Sequence, residues 1–599
     1  MASIIHKSPV PDVQLFYGSW PDLMRTSPHA HNDSKPVVFD FDTKQQLTWK
    51  QVWQLSARLR AQLYHKYGIG KPGALAPFHN DPSLGDVVIF YTPNTYSSLP
   101  YHLALHDLGA TISPASTSYD VKDICHQIVT TDAVVVVAAA EKSEIAREAV
   151  QLSGRDVRVV VMEDLINNAP TVAQNDIDSA PHVSLSRDQA RAKIAYLGMS
   201  SGTSGGLPKA VRLTHFNVTS NCLQVSAAAP NLAQNVVASA VIPTTHIYGL
   251  TMFLSVLPYN GSVVIHHKQF NLRDLLEAQK TYKVSLWILV PPVIVQLAKN
   301  PMVDEYLDSI RAHVRCIVSG AAPLGGNVVD QVSVRLTGNK EGILPNGDKL
   351  VIHQAYGLTE SSPIVGMLDP LSDHIDVMTV GCLMPNTEAR IVDEEGNDQP
   401  AVHVTDTRGI GAAVKRGEKI PSGELWIRGP QIMDGYHKNP ESSRESLEPS
   451  TETYGLQHFQ DRWLRTGDVA VIDTFGRVMV VDRTKELIKS MSRQVAPAEL
   501  EALLLNHPSV NDVAVVGVHN DDNGTESARA FVVLQPGDAC DPTTIKHWMD
   551  QQVPSYKRLY GGIVVIDTVP KNASGKILRR LLRQRRDDRV WGLAKVAKL

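Results

Sequence analysis

Between residues 87 and 319, short runs of apolar, mostly β-branched residues alternate with helix-like stretches, which limits the chain to few folds. Val87-Val88-Ile89-Phe90-Tyr91 ends at the turn Pro93-Asn94, residues 97–108 read as a helix, and 109–112 as the next strand. The pattern recurs at 134–137, 157–162, 263–265, 286–290 and 314–319. A run apolar at every position suits a strand covered on both faces, and strands alternating with helices predict parallel sheets. From about Gly381 the character changes: 388–392, 423–428, 469–472 and 477–481 read as short strands split by Gly and Pro turns. After Asp482-Arg483 the expectation is helices at 498–505 and 543–551, strands at 510–518, 528–534 and 562–565, and a basic helical tail at 579–589 with a solvated face. The expected fold class is α/β. A large N-terminal domain over 1–481 would hold stacked, mostly parallel sheets plus a small β-barrel-like portion, and a small mobile α+β C-terminal domain would occupy 482–599. Polar, Gly- or Thr-rich segments at 338–348, 403–419 and 448–457 read as surface insertions.

Composition excludes several classes. Lys+Arg 58 against Asp+Glu 62 leaves a net charge of −4, which argues against nucleic-acid or anionic-membrane partners. The cysteines, Cys125, Cys222, Cys316, Cys382 and Cys540, are scattered with no C-x-x-C pair, which argues against a zinc ribbon or a disulfide framework. Residues 1–7 lack the apolar core of a secretory leader. The apolar stretch 247–259 contains Gly249 and falls short of the roughly 18 residues that span a bilayer.

The strongest local feature runs from Gly198 to Lys209: Gly198-Met199-Ser200-Ser201-Gly202-Thr203-Ser204-Gly205-Gly206-Leu207-Pro208-Lys209, directly after the apolar stretch 194–197. Glycines let backbone N–H groups approach a polyanion, hydroxyls add donors and the lysine adds charge, so the segment reads as a phosphate cradle. It is not a Walker A loop, since G-x-x-x-x-G-K-[ST] is absent. Gly198-Met199-Ser200-Ser201-Gly202 also fits the G-x-S-x-G nucleophile elbow, but that motif needs a helix after the serine, and Gly202 to Pro208 resists one.

This loop resembles the phosphate-binding loop of the adenylate-forming superfamily, which includes acyl-CoA synthetases, firefly luciferases and the adenylation domains of peptide synthetases. Four further segments resemble that family's motifs in order: Tyr356-Gly357-Leu358-Thr359-Glu360; Thr466-Gly467-Asp468; Asp482-Arg483-Thr484-Lys485-Glu486-Leu487-Ile488-Lys489 with Gln494 to Glu501; and Pro570-Lys571-Asn572-Ala573-Ser574-Gly575-Lys576. His246-Ile247-Tyr248 and Ser319-Gly320-Ala321-Ala322-Pro323-Leu324 look most like the 4-coumarate–CoA ligase branch. Three departures stand out: one extra residue, Gly206, in the phosphate loop; Ala210 where glycine is usual; and Met491-Ser492-Arg493-Gln494 in place of a Lys-Gly-x-Gln stretch.

The resemblance implies an acyl- or aryl-CoA ligase using ATP, Mg²⁺ and coenzyme A. Ser200, Ser201, Gly202, Thr203, Ser204, Gly205 and Lys209 would hold the β- and γ-phosphates, Thr359 would touch the α-phosphate, and Glu360 would bind Mg²⁺. Tyr356 would pack on adenine with Ala322, Gln354, Ala355 and Gly357 beside it, and Asp468 with Arg483 would take the ribose. Lys576 would bridge carboxylate and α-phosphate. Lys485 would be the hinge, and Lys489 would face the adenylate in a second pose. His246, Tyr248 and Ala321 would line the acyl site, and Lys268, Met491 and Ser492 would meet coenzyme A. Taken singly, Asp468 is an ordinary turn residue, Lys576 a solvated loop lysine and His246 a core histidine; collinearity is what favours function for the first two. Two other readings remain at this point: transfer of the acyl group to a carrier protein or other acceptor, and a non-catalytic binder of AMP or acyl-adenylate. Ala597-Lys598-Leu599 resembles the peroxisomal S-K-L address, so a peroxisomal import receptor is an expected partner, with cytoplasmic residence if the tail is not read.

Overall fold

In the computed structural model the described residues are 3–200, 207–230, 234–367, 378–404, 409–410, 420–448, 462–483, 486–491, 493–520, 525–572, 575–585 and 587–593. Among them, the large domain holds two seven-stranded sheets. One has the order Arg158–Val161, Val135–Ala138, Val87–Tyr91, Thr111–Pro114, Ile194–Ser200, Lys209–Thr214, Gly435–Tyr436. Its first five strands are parallel, and the last two pair antiparallel. The other has the order Val351–Gln354, Cys316–Ser319, Leu286–Leu289, Val237–Ala240, Val263–His266, Pro36–Asp40, Gln46–Thr48, parallel except for the last pair.

The reason is legible in burial. Val87–Tyr91 and Thr111–Pro114 are buried at every position, as runs without alternation require. Helix Ser98–Asp107 is buried along its whole length, which places it between layers rather than on a surface. One apolar cluster joins Val37 and Val38 of one sheet to Val88 and Phe90 of the other through Trp20, Trp49, Tyr101 and Leu250. The stretch 247–259 is a buried helical segment in this layer, with a π-helical turn at Met252–Val256. No described helix is long and apolar enough to cross a membrane.

The β-rich portion is an antiparallel sheet in the order His6–Lys7, Glu388–Val392, Gly423–Arg428, Trp463–Ile472, Leu447–Glu448, with Val478–Arg483 also paired to Trp463–Ile472. The strand expected at 469–472 is only its second half, because Thr466-Gly467, with Gly467 at φ +71, reads locally as a turn. Insertion 338–348 is a surface loop in which Asn339 bonds the Ile343 backbone at both ends. Most of 403–419 and 448–457 lies outside the described residues.

The small domain pairs Ile488–Ser490 with Arg493–Val495 and builds a four-stranded sheet from Val510–Asn520, Thr525–Leu534, Ile563–Val565 and Val590–Trp591. In the basic tail Arg580, Arg583, Arg585 and Arg589 are exposed, as a solvated face requires, but the helix is shorter than expected and Arg579 is turned inward. Only Arg579–Arg583 is helical, and Val590–Trp591 returns as a strand. Arg579 is largely covered: its guanidinium donates to both oxygens of Glu501 at 2.7 and 2.8 Å and to Glu486 at 2.7 Å. Polar contacts at two places link the small domain to the large one, the second of them between residues that line a cavity. Lys299 Nζ donates to the Leu505 and Val510 carbonyls at 3.2 and 3.0 Å, and Gln494 Nε2 donates to Glu394 Oε1 at 2.8 Å.

Candidate active site

The phosphate-loop segment joins two antiparallel strands, Ile194–Ser200 and Lys209–Thr214, whose end pair is Ser200 with Lys209. The next described element is therefore a strand, not the helix that a nucleophile elbow needs. Ala210 is fully buried in the cluster containing Ile194 and Leu197, so the methyl group that departs from the family pattern fills core space. Gly198 lets Thr359 approach this hairpin: a Cβ there would stand 2.9 Å from Thr359 Cγ2. Thr359–Ser361 is one tight helical turn after the short strand Tyr356–Gly357. A Cβ on Gly357 would meet the Pro363 carbonyl oxygen at 2.0 Å, so glycine is required for the chain to fold back beside that turn.

A cavity of about 1040 Å³ opens between these elements and the small domain. Of the residues singled out from sequence, Ser200, Lys209, His246, Tyr248, Ala321, Ala355, Tyr356, Gly357, Thr359, Glu360, Arg483 and Lys576 line it. Ala321 does so from a left-handed backbone conformation, φ +73, of the kind that recurs at functional loops. Asp468 sits directly behind the wall and holds two lining residues: Tyr356 Oη donates to Oδ2 at 2.5 Å and Arg483 Nε to Oδ1 at 3.1 Å. Gln354 is also behind the wall, where its Oε1 accepts from Leu324 N at 2.7 Å and ties down the loop carrying Ala321 and Ala322.

Other residues are not brought together. Lys268 is ion-paired to Glu141 at 2.5 Å, and Lys489 and Met491 lie on the exposed side of the 488–495 hairpin; none of the three lines the cavity. Ser201, Gly202, Thr203, Ser204, Gly205, Lys485, Ser492 and Ala597 to Leu599 lie outside the described residues. Sequence reading missed Glu486 and Tyr436, both in the lining. Glu486 stood beside the recognised Lys485 and carried a charge toward the same domain junction, which was a usable signal. Tyr436, in a Gly-Tyr pair between two strands, offered none.

The cavity concentrates charge. Burial pulls the Lys576 ammonium down to about 8, and Arg483 adds to the fall, while Glu486, Asp468 and Glu360 oppose it. Burial, helped by the Lys576 charge, pulls His246 down to about 4, so its imidazole is neutral at pH 7; its Nδ1 accepts from Tyr248 N at 3.3 Å. Burial pushes the Asp468 carboxyl up from its ordinary value, and Arg483 and Tyr356 work against that rise. The cavity thus offers Lys209, Arg483 and Lys576 to a polyanion, and the neutral His246 with Tyr248, Pro363 and Ile364 to an apolar body.

Such a hairpin, a buried cation set and a small domain that contributes one lysine define an AMP-binding enzyme, and the chain belongs to that family. The AMP-binding enzyme family matches residues 25–437, and the AMP-binding enzyme C-terminal domain matches 499–576. Among similar proteins, 4-coumarate-CoA ligase 1 of Narcissus pseudonarcissus is 32% identical over 568 residues, 93% of this chain and 92% of the relative. The 4-coumarate–CoA ligase 2 of Nicotiana tabacum is 32% identical over 601 residues, 97% of each chain. Among solved structures, an anthranilate CoA ligase in complex with anthranoyl-AMP superposes with TM-score 0.74 at 22% identity, covering 95% of this chain and 97% of that one. A benzoate CoA ligase from Burkholderia xenovorans LB400 gives 0.72 at 21%, covering 94% and 100%.

Proposed function

We propose that the protein is an AMP-forming acid–thiol ligase. It joins a carboxylic acid to the α-phosphate of ATP with release of pyrophosphate, then passes the acyl group from acyl-AMP to coenzyme A with release of AMP. The observation that carries this reading is the meeting of Lys576, from the small domain, with Lys209, Thr359 and Glu360 of the large domain and with Arg483 at the junction in one cavity. In the first step a carboxylate oxygen attacks the α-phosphorus and the bond to pyrophosphate breaks. Two anions must meet, so fixed positive charge supplies most of the catalysis.

In this reading Ser200 and Lys209 bracket the loop Ser201 to Gly205 around the β- and γ-phosphates, and Thr359 binds the α-phosphate. Tyr356 packs on adenine, and Asp468 accepts from the ribose hydroxyls. A carboxylate has about four lone-pair sites, so the Tyr356 and Arg483 contacts leave two free. Glu360 is a single carboxylate at the phosphate end; no group of three or more His, Cys, Asp or Glu side chains that could hold a metal occurs among the described residues. That donor set fits Mg²⁺, which takes one or two carboxylates and completes its shell with phosphates and water. When bound, Mg²⁺ would neutralise phosphate charge. His246, Tyr248 and Ala321 wall the acyl end, which suits an aryl or medium-chain acid; the coumarate ligases among the relatives support the aryl arm.

For the thioester step, Lys489 replaces Lys576 by rotation of the small domain about Lys485, and Lys268, Met491 and Ser492 meet coenzyme A. The exposed position of Lys489 in the present arrangement is what a two-pose enzyme requires.

Pyrophosphate release with a panel of aryl and aliphatic acids tests the first half-reaction. No release with any acid would leave a binding protein. Release with no thioester on adding coenzyme A would point to a carrier or another acceptor.

The Lys576 environment gives a pH dependence. The ammonium is the active form, and it is lost as pH rises through about 8 in the unliganded enzyme. The alkaline limb of kcat/KM for ATP should therefore fall near pH 8, while the limb in kcat lies higher because bound phosphates favour the ammonium. Asp468→Asn removes a neighbouring negative charge and should move the kcat/KM limb to lower pH. An unchanged limb would show that another group titrates there.

Location is a separate proposal. Read at a free carboxyl end, Ala597-Lys598-Leu599 would direct peroxisomal import. A fluorescent protein fused at the N-terminus should give punctate signal that becomes diffuse on deleting those three residues; a diffuse signal from the intact tail would place the enzyme in the cytosol.

A further inference from the structure

Tyr436 touches two elements of the phosphate end at once. Its hydroxyl donates to Glu360 Oε1 at 2.9 Å, and the Lys209 ammonium lies 5.1 Å from the centre of its ring. The backbone around it is fixed by the same two elements. Gly435–Tyr436 pairs antiparallel with Lys209–Thr214, with Tyr436 opposite Val211. Met433 N donates to the Glu360 carbonyl at 2.9 Å, and His437 N donates to the Ala210 carbonyl at 2.8 Å. Tyr436 N also donates to Ser443 Oγ at 2.9 Å, and the side chain is only 7% exposed, so the ring has little freedom to leave this position.

We propose that Tyr436 is a positioning residue for the nucleotide–metal complex, setting the Glu360 carboxylate and the Lys209 ammonium at one fixed separation before ATP arrives. The hydroxyl holds one carboxylate oxygen, which leaves the other to face the cavity. The ring face carries the lysine cation, an attraction that strengthens where water is excluded. Without the hydroxyl the carboxylate is no longer held for the metal; without the ring as well, the lysine loses the face that carries it and is free to pair with that carboxylate instead of with ATP. The proposal rests on the reading of Glu360 as the metal-binding carboxylate.

The test uses full-length enzyme, a non-hydrolysable ATP analogue and Mn²⁺ as an EPR-visible stand-in for Mg²⁺. Tyr436→Phe keeps the ring and loses the hydroxyl. It should weaken Mn²⁺ binding to the enzyme–nucleotide complex roughly ten- to a hundredfold, as loss of one hydrogen bond to a charged group does. Binding of the analogue without metal should be nearly unchanged. Tyr436→Leu loses the ring as well and should weaken metal-free nucleotide binding several-fold, an effect that disappears when Lys209 is already methionine. A merely structural role would lower thermal stability and weaken both bindings alike in Tyr436→Phe, and that outcome overturns the proposal. Glu360→Gln separates the two levels. If it leaves Mn²⁺ binding intact, the reading of Glu360 fails. If it weakens Mn²⁺ binding and Tyr436→Phe does not, Tyr436 is not the positioning residue.

Discussion

Replacing Lys576 with alanine is expected to slow acyl-adenylate formation by about 10²–10³, the loss that follows removal of one charge-assisted contact made chiefly in the transition state. The ammonium enters a cavity that already contains Arg483, and burial together with that charge pulls it down to about 8, so the site tolerates this charge at a cost. That cost is recovered only when an anion sits beside it, and the attack of a carboxylate on a phosphate brings the most negative charge to that point. Thioester formation from pre-formed acyl-AMP should fall far less, because in the second pose another face of the small domain meets the cavity. The measurement is pyrophosphate release against single-turnover thioester formation from synthetic acyl-AMP. Equal losses in the two half-reactions would remove Lys576 from its assigned role.

Replacing Arg212 with alanine is expected to be the most damaging change to stability, by about 3–5 kcal/mol, the usual effect of deleting one partner of a buried ion pair. Arg212 lies on the strand that carries Lys209 and is 2% exposed. Its guanidinium donates to Asp81 at 2.6 Å, Asp434 at 3.1 Å and Ser83 Oγ at 2.7 Å. Alanine leaves Asp434 and Asp81 partly buried without that charge. Burial raises the Asp81 carboxyl, yet the Ser83 hydrogen bond and the Arg212 charge hold it at about 2, below its ordinary 3.8. A depressed carboxylate adds stability above its unfolded value that is lost as pH falls from about 4 toward 2. The variant should therefore show a lower denaturant midpoint at pH 7 and a smaller further loss on acidification. An unchanged midpoint at pH 7 would show that the remaining network carries the strand unaided.

The sequence was most informative where the controlling physics is local. Val87 to Tyr91 had to be a strand covered on both faces, because no alternation offers a wet side. Ser200 and Lys209 had to bracket a loop, because the glycines and Pro208 between them support neither helix nor strand. Five collinear segments then identified the family, and eight of the twelve singled-out residues that line the cavity come from them. The same local reading failed at Arg579. A run of basic residues looks solvated when its partners are invisible, and Glu486 and Glu501 lie 93 and 78 positions away.

The chain by itself determined the fold class, the two-part organisation and the kind of chemistry, since apolar runs, glycine spacing and residue type are properties of neighbouring positions. Only the tertiary structure decided which groups hold which. Tyr356 reaches Asp468 across 112 positions, Tyr436 reaches Glu360 across 76, and Lys576 enters a cavity that also holds Lys209 and Arg483. Burial and electrostatic shifts depend on distances through the folded interior, which no local pattern encodes. For that reason the sequence named Lys576 and Glu360, and the packing supplied the lowered ammonium and the tyrosine that sets the carboxylate in place.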